Sequence, residues 1–517
     1  MSTPDESTTP RLPALVRAEW SGFRSVRGRM AALAVAALAV IALAVLPALS
    51  THSSCSQGPV EVPCPTDPLD PDGRPVSDLF FFAHRPLTGD GSLTARLTSM
   101  TGTITYPPPD HDEIVAGVVP WAKTGIIIKD GLGQGSSYAA VLMTGTHGVR
   151  MQHDYTHDTA GRPGGVSPQA PRWLRLTRAG DTITGEESAD GTSWTPVGTA
   201  RLAGLPDTVQ IGLFATSPGD LTLAPVGLGG SIGQVRFTQA VGSFDNVTTA
   251  GGVAAGPWRA DTVGELGHTD WEKFHRAPGL VEQGGTLTVT GSGDIGPIGT
   301  EGGRTSKDTL VGLFVAMIIL VVTAARYATS RPSAGAAPGG RQLAARALVL
   351  GGAVFATGLA AVAVSVPLGT KLLRDGGSTV VSASPLTELR VMVGTAVLLA
   401  LVAVLALALG ALLRRAWLAV TVLLAGLVLP YLLVVVPLLP DAVADWLLRL
   451  TPAAGFAVLQ TLTAYPQVTM HYAPYAGYFP LPWWAGLAVT CAFTAPALGF
   501  ALRRTPQRPE ASPVDWR

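Results

Sequence analysis

The sequence predicts a multi-domain membrane protein: an all-α domain of six transmembrane helices, arranged one plus five, with an all-β sandwich inserted outside the membrane between the first and second. Three observations lead there. Charged residues make up only 14% of the 517, against about 25% in a soluble domain, and the deficit is confined to 30–51 and most of 309–502. Six stretches in those regions approach or meet the roughly 20 apolar residues that a bilayer core asks of a helix. Residues 52–308 between them are polar, rich in Gly and Thr, and patterned for strands.

Residues 1–29 precede the first span. Leu12, Leu15, Val16, Trp20, Phe23 and Val26 share one helical arc with Arg17 and Arg24 at its edge, so the segment reads as an amphipathic helix on the inner leaflet. Glu19 and Arg27 fall on the apolar arc, and Glu19 is open to a partner within the protein instead. The first span is 30–51, read as a retained anchor rather than a cleaved signal, because its core is long for a signal h-region and five spans follow. The others are Thr309–Ala325, Ala347–Thr370, Val391–Leu413, Ala416–Pro440 and Leu481–Leu502, all within 309–502. Pro430 and Pro437 should kink the fifth. Within 441–465, the apolar run Trp446–Leu462 is interrupted by Arg449 and Pro452, and reads as an outer interfacial or re-entrant helix pair rather than a seventh span. No Asp, Glu, Lys or Arg lies inside the six spans, which argues against a proton pathway or an ion channel.

Lys and Arg in the short flanks set the orientation. Arg11, Arg17, Arg24, Arg27 and Arg29 precede the first span, Arg326, Arg331, Arg341 and Arg346 follow the second, Arg414-Arg415 follow the fourth, and Arg503, Arg504, Arg508 and Arg517 lie in the tail 503–517. The opposite loops hold Lys371, Arg374, Arg390 and Arg449. Both termini are therefore expected in the cytoplasm of a cell membrane, with Thr51–Asp308 outside. Lys+Arg and Asp+Glu balance at 36 each, so no basic footprint for nucleic acid exists.

Outside the membrane, 52–75 is a Pro-rich linker holding Cys55 and Cys64, which are expected to form a disulfide on the oxidising side. From 76 onward, Ser137–Met143, Leu174–Arg178, Thr182–Glu186, Thr208–Ala215, Gln234–Thr238 and Thr286–Thr290 are short β-rich runs. Leu174 and Leu176 alternate with Arg175 and Thr177, as in a strand with one buried face. Thr182–Ser188 and Thr192–Thr199 flank Ala189-Asp190-Gly191, and Asp-Gly signals a hairpin. Many short strands with turn punctuation indicate a sandwich.

The runs Trp121–Gly131 (WAKTGIIIKDG), Ser136–Gln152, Pro171–Gly198 (PRWLRLTRAGDTITGEESADGTSWTPVG) and Val209–Pro218 resemble the bacterial concanavalin-A-like jelly-roll family labelled "regulation of enolase". The resemblance covers 76–250. It implies a jelly roll serving as an accessory module, not an enolase activity; residues 251–308 are then further strands or a small second unit with the return linker.

Candidate residues in this domain follow from their chemistry. Trp121, Tyr138, Trp173 and Trp194 offer rings for stacking on sugars of an extracellular glycan, or simply core area. Trp173 shares the parity of Arg175 and Thr177, so it should point away from the core. His153, Asp154, His157 and Asp158 form an H-D-x-x-H-D cluster near Asp110, His111, Asp112 and Glu113; these are oxygen and imidazole ligands suited to Ca²⁺ or Zn²⁺, with a solvated loop as the plainer alternative. Glu186, Glu187 and Asp190 sit around a hairpin, where acids are solvated rather than catalytic.

The amino-terminal run LPALVRAEWSGFRSVRGR (Leu12–Arg29) resembles the start of actinobacterial type-2 ABC exporter permeases through Arg17-Ala18-Glu19-Trp20 and Arg24-Ser25-Val26-Arg27, with Gly22-Phe23 replacing a usual basic residue. Trp446–Thr461 (WLLRLTPAAGFAVLQT) resembles their outer helical segment. The resemblance implies a permease subunit that transports through the membrane, pairs with a second permease copy or homologue, and is driven by a cytoplasmic ABC ATPase. It assigns the ATPase contact to Arg17, Glu19 and Trp20 and to Arg341 and Arg346 in the loop Arg326–Arg346. No Gly-Lys pair occurs in the chain, so the phosphate-cradling loop of an ATPase is missing, and ATP and Mg²⁺ belong on that partner. The alternative is a membrane-anchored module that binds cell-wall glycan without transport.

Overall fold

The structure, a computed structural model, describes residues 12–504 other than 53–54, 58–59, 63–66, 109–111, 266, 268, 299–302, 331–338, 379 and 382. Outside the β domain, its α-helices are α1 (Leu12–Ser25), α2 (Arg27–Ser50), α3 (Gly312–Thr329), α4 (Gly340–Asp375), α5 (Pro385–Leu413), α6 (Ala416–Val435), α7 (Asp441–Leu450) and α8 (Trp483–Arg504). Six of them, α2 to α6 and α8, are long and apolar enough to cross a membrane. They share one apolar core that also takes in Phe23 of α1 and Phe456.

Local chemistry explains the helix ends. Pro385 opens α5, where its missing N–H costs nothing, and the Ser384 hydroxyl accepts the Thr387 amide at 3.3 Å. The same helix stops at Arg414, whose left-handed φ of 55° turns the chain straight into α6. The fifth span is shorter than expected. Proline disfavours helical geometry in the residue before it, and Val436, before Pro437, is extended (φ −87°, ψ 115°), so α6 ends at Val435 and only Pro430 lies inside it.

Between α2 and α3 lies a large β-sandwich. Its strands are β1 (Val76–Asp78), β2 (Phe80–Thr105), β3 (Lys123–Lys129), β4 (Tyr138–Thr144), β5 (Val149–His153), β6 (His157–Ala160), β7 (Arg172–Ala179), β8 (Thr182–Ser188), β9 (Thr195–Arg201), β10 (Thr208–Thr216), β11 (Asp220–Val226), β12 (Gly230–Arg236), β13 (Thr238–Val253), β14 (Arg259–Val263), β15 (Gly279–Gln283), β16 (Thr286–Gly291) and β17 (Ile295–Pro297). The main path runs β9-β8-β7-β2-β10-β3-β4-β5-β6, antiparallel throughout. The 26-residue β2 links the two layers: it pairs through Phe81–Thr88 with β10 and through Gly91–Leu97 with β7, while its other edge takes β13 and β14. The expected alternation along β7 and the hairpin β8–β9 are both present. The break expected at 250 falls inside β13, and β14 and β16 extend the same sheet, so 251–291 is continuous with the sandwich.

The main core lies between the layers, with Ile126, Ile128, Val141 and Met151 facing Leu174, Leu176, Ile183 and Val197. A second cluster covers the other face of β3 and β4, joining Ile127, Tyr138 and Leu142 to Phe80, Phe82, Val76 and Ile295. Strands buried on both faces read as nearly continuous apolar runs, as in Gly125–Ile128. Lys123 and Lys129 share the second face with Ile127, and both are fully buried. The Lys129 ammonium donates to Asp78 Oδ2 at 2.8 Å and to the Ser136 carbonyl at 2.9 Å; Lys123 donates to Asp294 Oδ1 and the Ile295 carbonyl, each at 2.6 Å. Asp78 also accepts from the Tyr155 hydroxyl and the Gly135 amide, both at 2.8 Å. Burial pulls the Lys129 ammonium below its ordinary pKa despite Asp78, and drives the Tyr138 and Tyr155 hydroxyls up.

Breaking a buried pair from one side strands its partner, at about 3–5 kcal/mol. Asp78→Ala should therefore lower the unfolding midpoint sharply in a thermal melt followed by near-UV circular dichroism. The double change Asp78→Leu with Lys129→Met should recover part of the loss; equal damage in both variants would mean the pair is not the cause.

Candidate functional site

The charged side chains that the sequence placed at a partner interface divide into two groups. On α1, the buried residues Leu15, Glu19 and Phe23 are spaced by four and form one stripe. Leu12, Trp20 and Val26, expected on the same arc, are exposed. A carboxylate on the buried stripe needs internal donors, and Glu19 has them: the Tyr327 hydroxyl at 2.8 Å, the Gln342 amide at 2.9 Å and Arg346 at 3.5 Å. Arg346 also donates to the Tyr327 and Ser330 carbonyls, each at 3.2 Å, and so caps the end of α3. The Arg29 guanidinium lies 4.4 Å from the Tyr327 ring centre and bonds the Ser330 hydroxyl at 3.1 Å. One polar knot thus joins α1, α2, α3 and α4. Glu19 and Arg346 are consequently not outward contacts; Arg17, Trp20 and Arg341 are exposed. Arg341 and Arg346 lie within α4 rather than in a loop, and 331–338 fall outside the described residues.

Helix ends sort cleanly around this knot. Arg29 meets Ser330, the start of α4 packs on Leu502, and Gly410 of α5 packs on Ala325. The starts of α2, α4 and α6 and the ends of α3, α5 and α8 therefore share one end, with Arg326, Arg414, Arg415, Arg503 and Arg504. Exposed Trp20 and Trp417 ring that end, and exposed Trp446, Trp483 and Trp484 the opposite one.

At the opposite end, α7 and the 3₁₀ segment Pro452–Leu459 form the expected broken pair, bent by 101°. Every residue of the second segment is buried. It fits because Gly394 leaves room: a Cβ there would stand 2.1 Å from the Val458 side chain. Clefts of about 330, 430 and 530 Å³ run along the seam between this end and the sandwich, joined through Val235 and Met470 and through Val76, Pro297 and Ile298. Polar contacts also cross the seam, with the Ser231 hydroxyl donating to Asp441 Oδ2 at 3.4 Å and the Gln467 amide donating to the Thr156 carbonyl at 3.4 Å.

In the sandwich, two of the four candidate rings are core. Tyr138 is fully buried, edge-on to Tyr155 at 4.9 Å, and Trp121 is 7% exposed and stacked on His147 at 3.9 Å. Neither presents a face to a sugar. Trp173 does lie on the side of Arg175 and Thr177, but Arg96 sits 5.7 Å from its ring centre and Gly191 packs against it. Trp194 is covered by Arg175 at 4.1 Å. Both are half-buried.

The His/Asp cluster spans the β5–β6 turn, where His153 and His157 face each other in register with rings stacked at 4.2 Å. Asp158 turns away to an ion pair with Arg150 and a 3.0 Å bond from Gln152. Among the described residues, no three His, Cys, Asp or Glu converge as metal ligands. Asp110, His111 and Cys64 lie outside the described residues, and with Cys64 the expected disulfide. Sequence reasoning missed the buried set Lys123, Lys129, Asp78 and Asp294. Its only sequence signal is a lysine at each end of an apolar strand.

No protein-family model matches the chain, and no curated protein does. Among solved structures, a functionally unknown protein from Saccharomyces cerevisiae is similar at 14% identity, over 40% of this chain and 99% of that one, with a TM-score of 0.22. Scytalido-glutamic peptidase with a peptide-based transition-state analogue is similar at 9% identity over 41% of this chain and 98% of its own, TM-score 0.24, and with a transition-state analogue inhibitor at TM-score 0.26. Likenesses this loose carry no inference about fold or activity.

Two measurements check this geometry. Glu19→Ala leaves Arg346 and two donors without their acceptor, so it should cost on the order of 3–5 kcal/mol; proteolysis of the purified chain should then cut faster within α1. Burial, then the neighbouring His157, lowers the His153 pKa to about 4. The unfolded imidazole, near 6.5, binds a proton that the folded one refuses. Stability should therefore fall as pH drops from 6.5 towards 4, and His153→Gln should flatten that slope in melts taken across the window.

Proposed function

We propose that this chain is the membrane subunit of an ATP-driven exporter: a permease whose six helices form the path through a cell membrane, with the sandwich outside as a jelly-roll domain between the first and second spans. The observation that carries the reading is α1. It lies outside the bundle, yet Glu19 locks it to α3 and α4 while Arg17 and Trp20 face outward. Force on that outer face would pass into the spans, a linkage of no use to a simple anchor. The Arg-rich end is then cytoplasmic by the positive-inside rule, and the two Trp rings mark the interfaces. The broken pair packed into the outer end adds support, since anchoring alone needs one span.

ATP and Mg²⁺ sit on a separate cytoplasmic ATPase that docks at Arg17, Trp20 and Arg341, and a second permease copy completes the pathway. The competing reading, an anchored glycan-binding module, has less support because Trp121 and Tyr138 are buried and Trp173 and Trp194 are partly covered by arginines.

Co-expression with an ABC ATPase encoded beside this chain, followed by purification in mild detergent, is the test. The ATPase should co-purify, and Arg17→Glu with Trp20→Ala should remove it without moving the melting temperature, since both side chains are exposed. Recovery of this chain alone, or an ATPase retained by the double variant, would sink the proposal.

A further inference from the structure

We propose that the hairpin β11–β12 is a membrane-contacting wedge whose apex, Leu228, enters the outer interfacial layer of the lipid bilayer. This rests on the reading that the six helices span a membrane. Between Asp220 and Arg236, which face each other in register at the hairpin base, Leu221–Val235 contains no ionisable residue. Among the described residues, the hairpin pairs with no other strand. An isolated two-stranded ribbon is marginal in water, and this one exposes Leu223, Ile232 and Val235, with Leu228 at its tip 79% exposed. Scattered exposed apolar residues are ordinary; a contiguous uncharged projection marks a contact surface.

Its position names the occupant. The Leu228 amide donates to the Leu438 carbonyl at 2.8 Å, and Gly230 presses so closely on Pro437 that a Cβ would stand 2.1 Å from its carbonyl oxygen. Leu438 is three residues past the end of α6, a 20-residue helix that rises about 30 Å, the thickness of a bilayer core. The apex therefore stands at the core boundary. Exposed Val436 and Leu438, and Trp446 and Leu450 of α7, continue the apolar surface from the spans to the hairpin. The backbone is prepared for a drier medium as well: the Leu228 amide is paired as above, and the Gly229 amide donates to the Val226 carbonyl at 3.3 Å. A lipid interface matches an uncharged apex set against the chain that leaves α6, with Asp441, which accepts from the Ser231 hydroxyl at 3.4 Å, as the charge on its α7 side.

The test places single cysteines in the full chain, with Cys55, Cys64 and Cys491 replaced by Ser, and labels them with bimane in nanodiscs whose lipids carry bromine high on the acyl chain. Three positions are compared: Leu228→Cys at the apex, Val422→Cys on the exposed face of α6, and Glu282→Cys on β15. Bromine should cause a loss of bimane emission at 228 and 422 but not at 282. Quenching at 422 with emission at 228 as bright as at 282 overturns the wedge and leaves the membrane reading intact. An unquenched 422 overturns the membrane reading, and the wedge with it. Disulfide-linked dimers of the unlabelled Leu228→Cys variant, with no quenching in the labelled one, would assign the apex to a second copy and likewise overturn the proposal.

Discussion

Two lysines on one buried strand hold the sandwich closed where it joins the helices. Asp78 belongs to β1, where the chain comes in from α2, and Asp294 immediately precedes β17, where it leaves toward α3. Lys129 and Lys123, on the same face of β3, bind them at 2.8 and 2.6 Å. Strands β1 and β17 also pair with each other, Val76 opposite Pro297 and Asp78 opposite Ile295. The incoming and outgoing chains are therefore side by side, and a domain of more than two hundred residues occupies the gap between two adjacent helices without forcing them apart. A fully buried ion pair is weak evidence for stability as such, because desolvation offsets most of the Coulomb attraction. Its contribution here is geometric: an ammonium that must find its carboxylate permits one seating of the two end strands, where apolar contacts would tolerate several.

The same logic operates at the far end of the bundle. Glu19 sits between Arg346 and the hydroxyl of Tyr327, with Arg29 over that ring, so a helix that would otherwise roll on a surface has one orientation. The stripe Leu15, Glu19, Phe23 supplies apolar contact at its ends and a charge at its centre. The consequence is one fixed seating of α1 against α3 and α4.

Between these two fixed ends, the sandwich and the helices touch along a seam that is clasped rather than filled. The hairpin β11–β12 bonds the chain after α6, Ser231 meets Asp441, and Gln467 reaches Thr156. Clefts run between the clasps. The hydrophobic clusters of the described residues lie either in the helices or in the sandwich, so the seam is the region best able to open while each part keeps its own core.

Much of this was legible in the sequence because it depends on local pattern. Apolar runs marked six helices, alternation at Leu174 and Leu176 set the inner face of β7, Asp190-Gly191 placed the β8–β9 hairpin, and Pro452 broke the segment that bends by 101°. The parity of Trp173 was also readable, since side-chain direction in a strand has a period of two. Partners were not readable. Glu19 on the apolar arc called either for an ATPase contact or for an unnamed partner within the protein, and only the fold supplies Tyr327, 308 residues away, and Arg346. Tyr138 and Trp121 looked like sugar platforms, and β1 and the His147 loop cover them. The 26-residue β2 escaped notice because its middle, Thr88-Gly89-Asp90-Gly91-Ser92, has the composition of a turn, although Phe81, Ala83, Leu87, Leu93, Ala95 and Leu97 face one core. Local sequence specifies which face of an element is apolar, through the geometry of the element itself. What covers that face depends on long-range packing and on which charges must be neutralised inside it, and only the folded chain decides both.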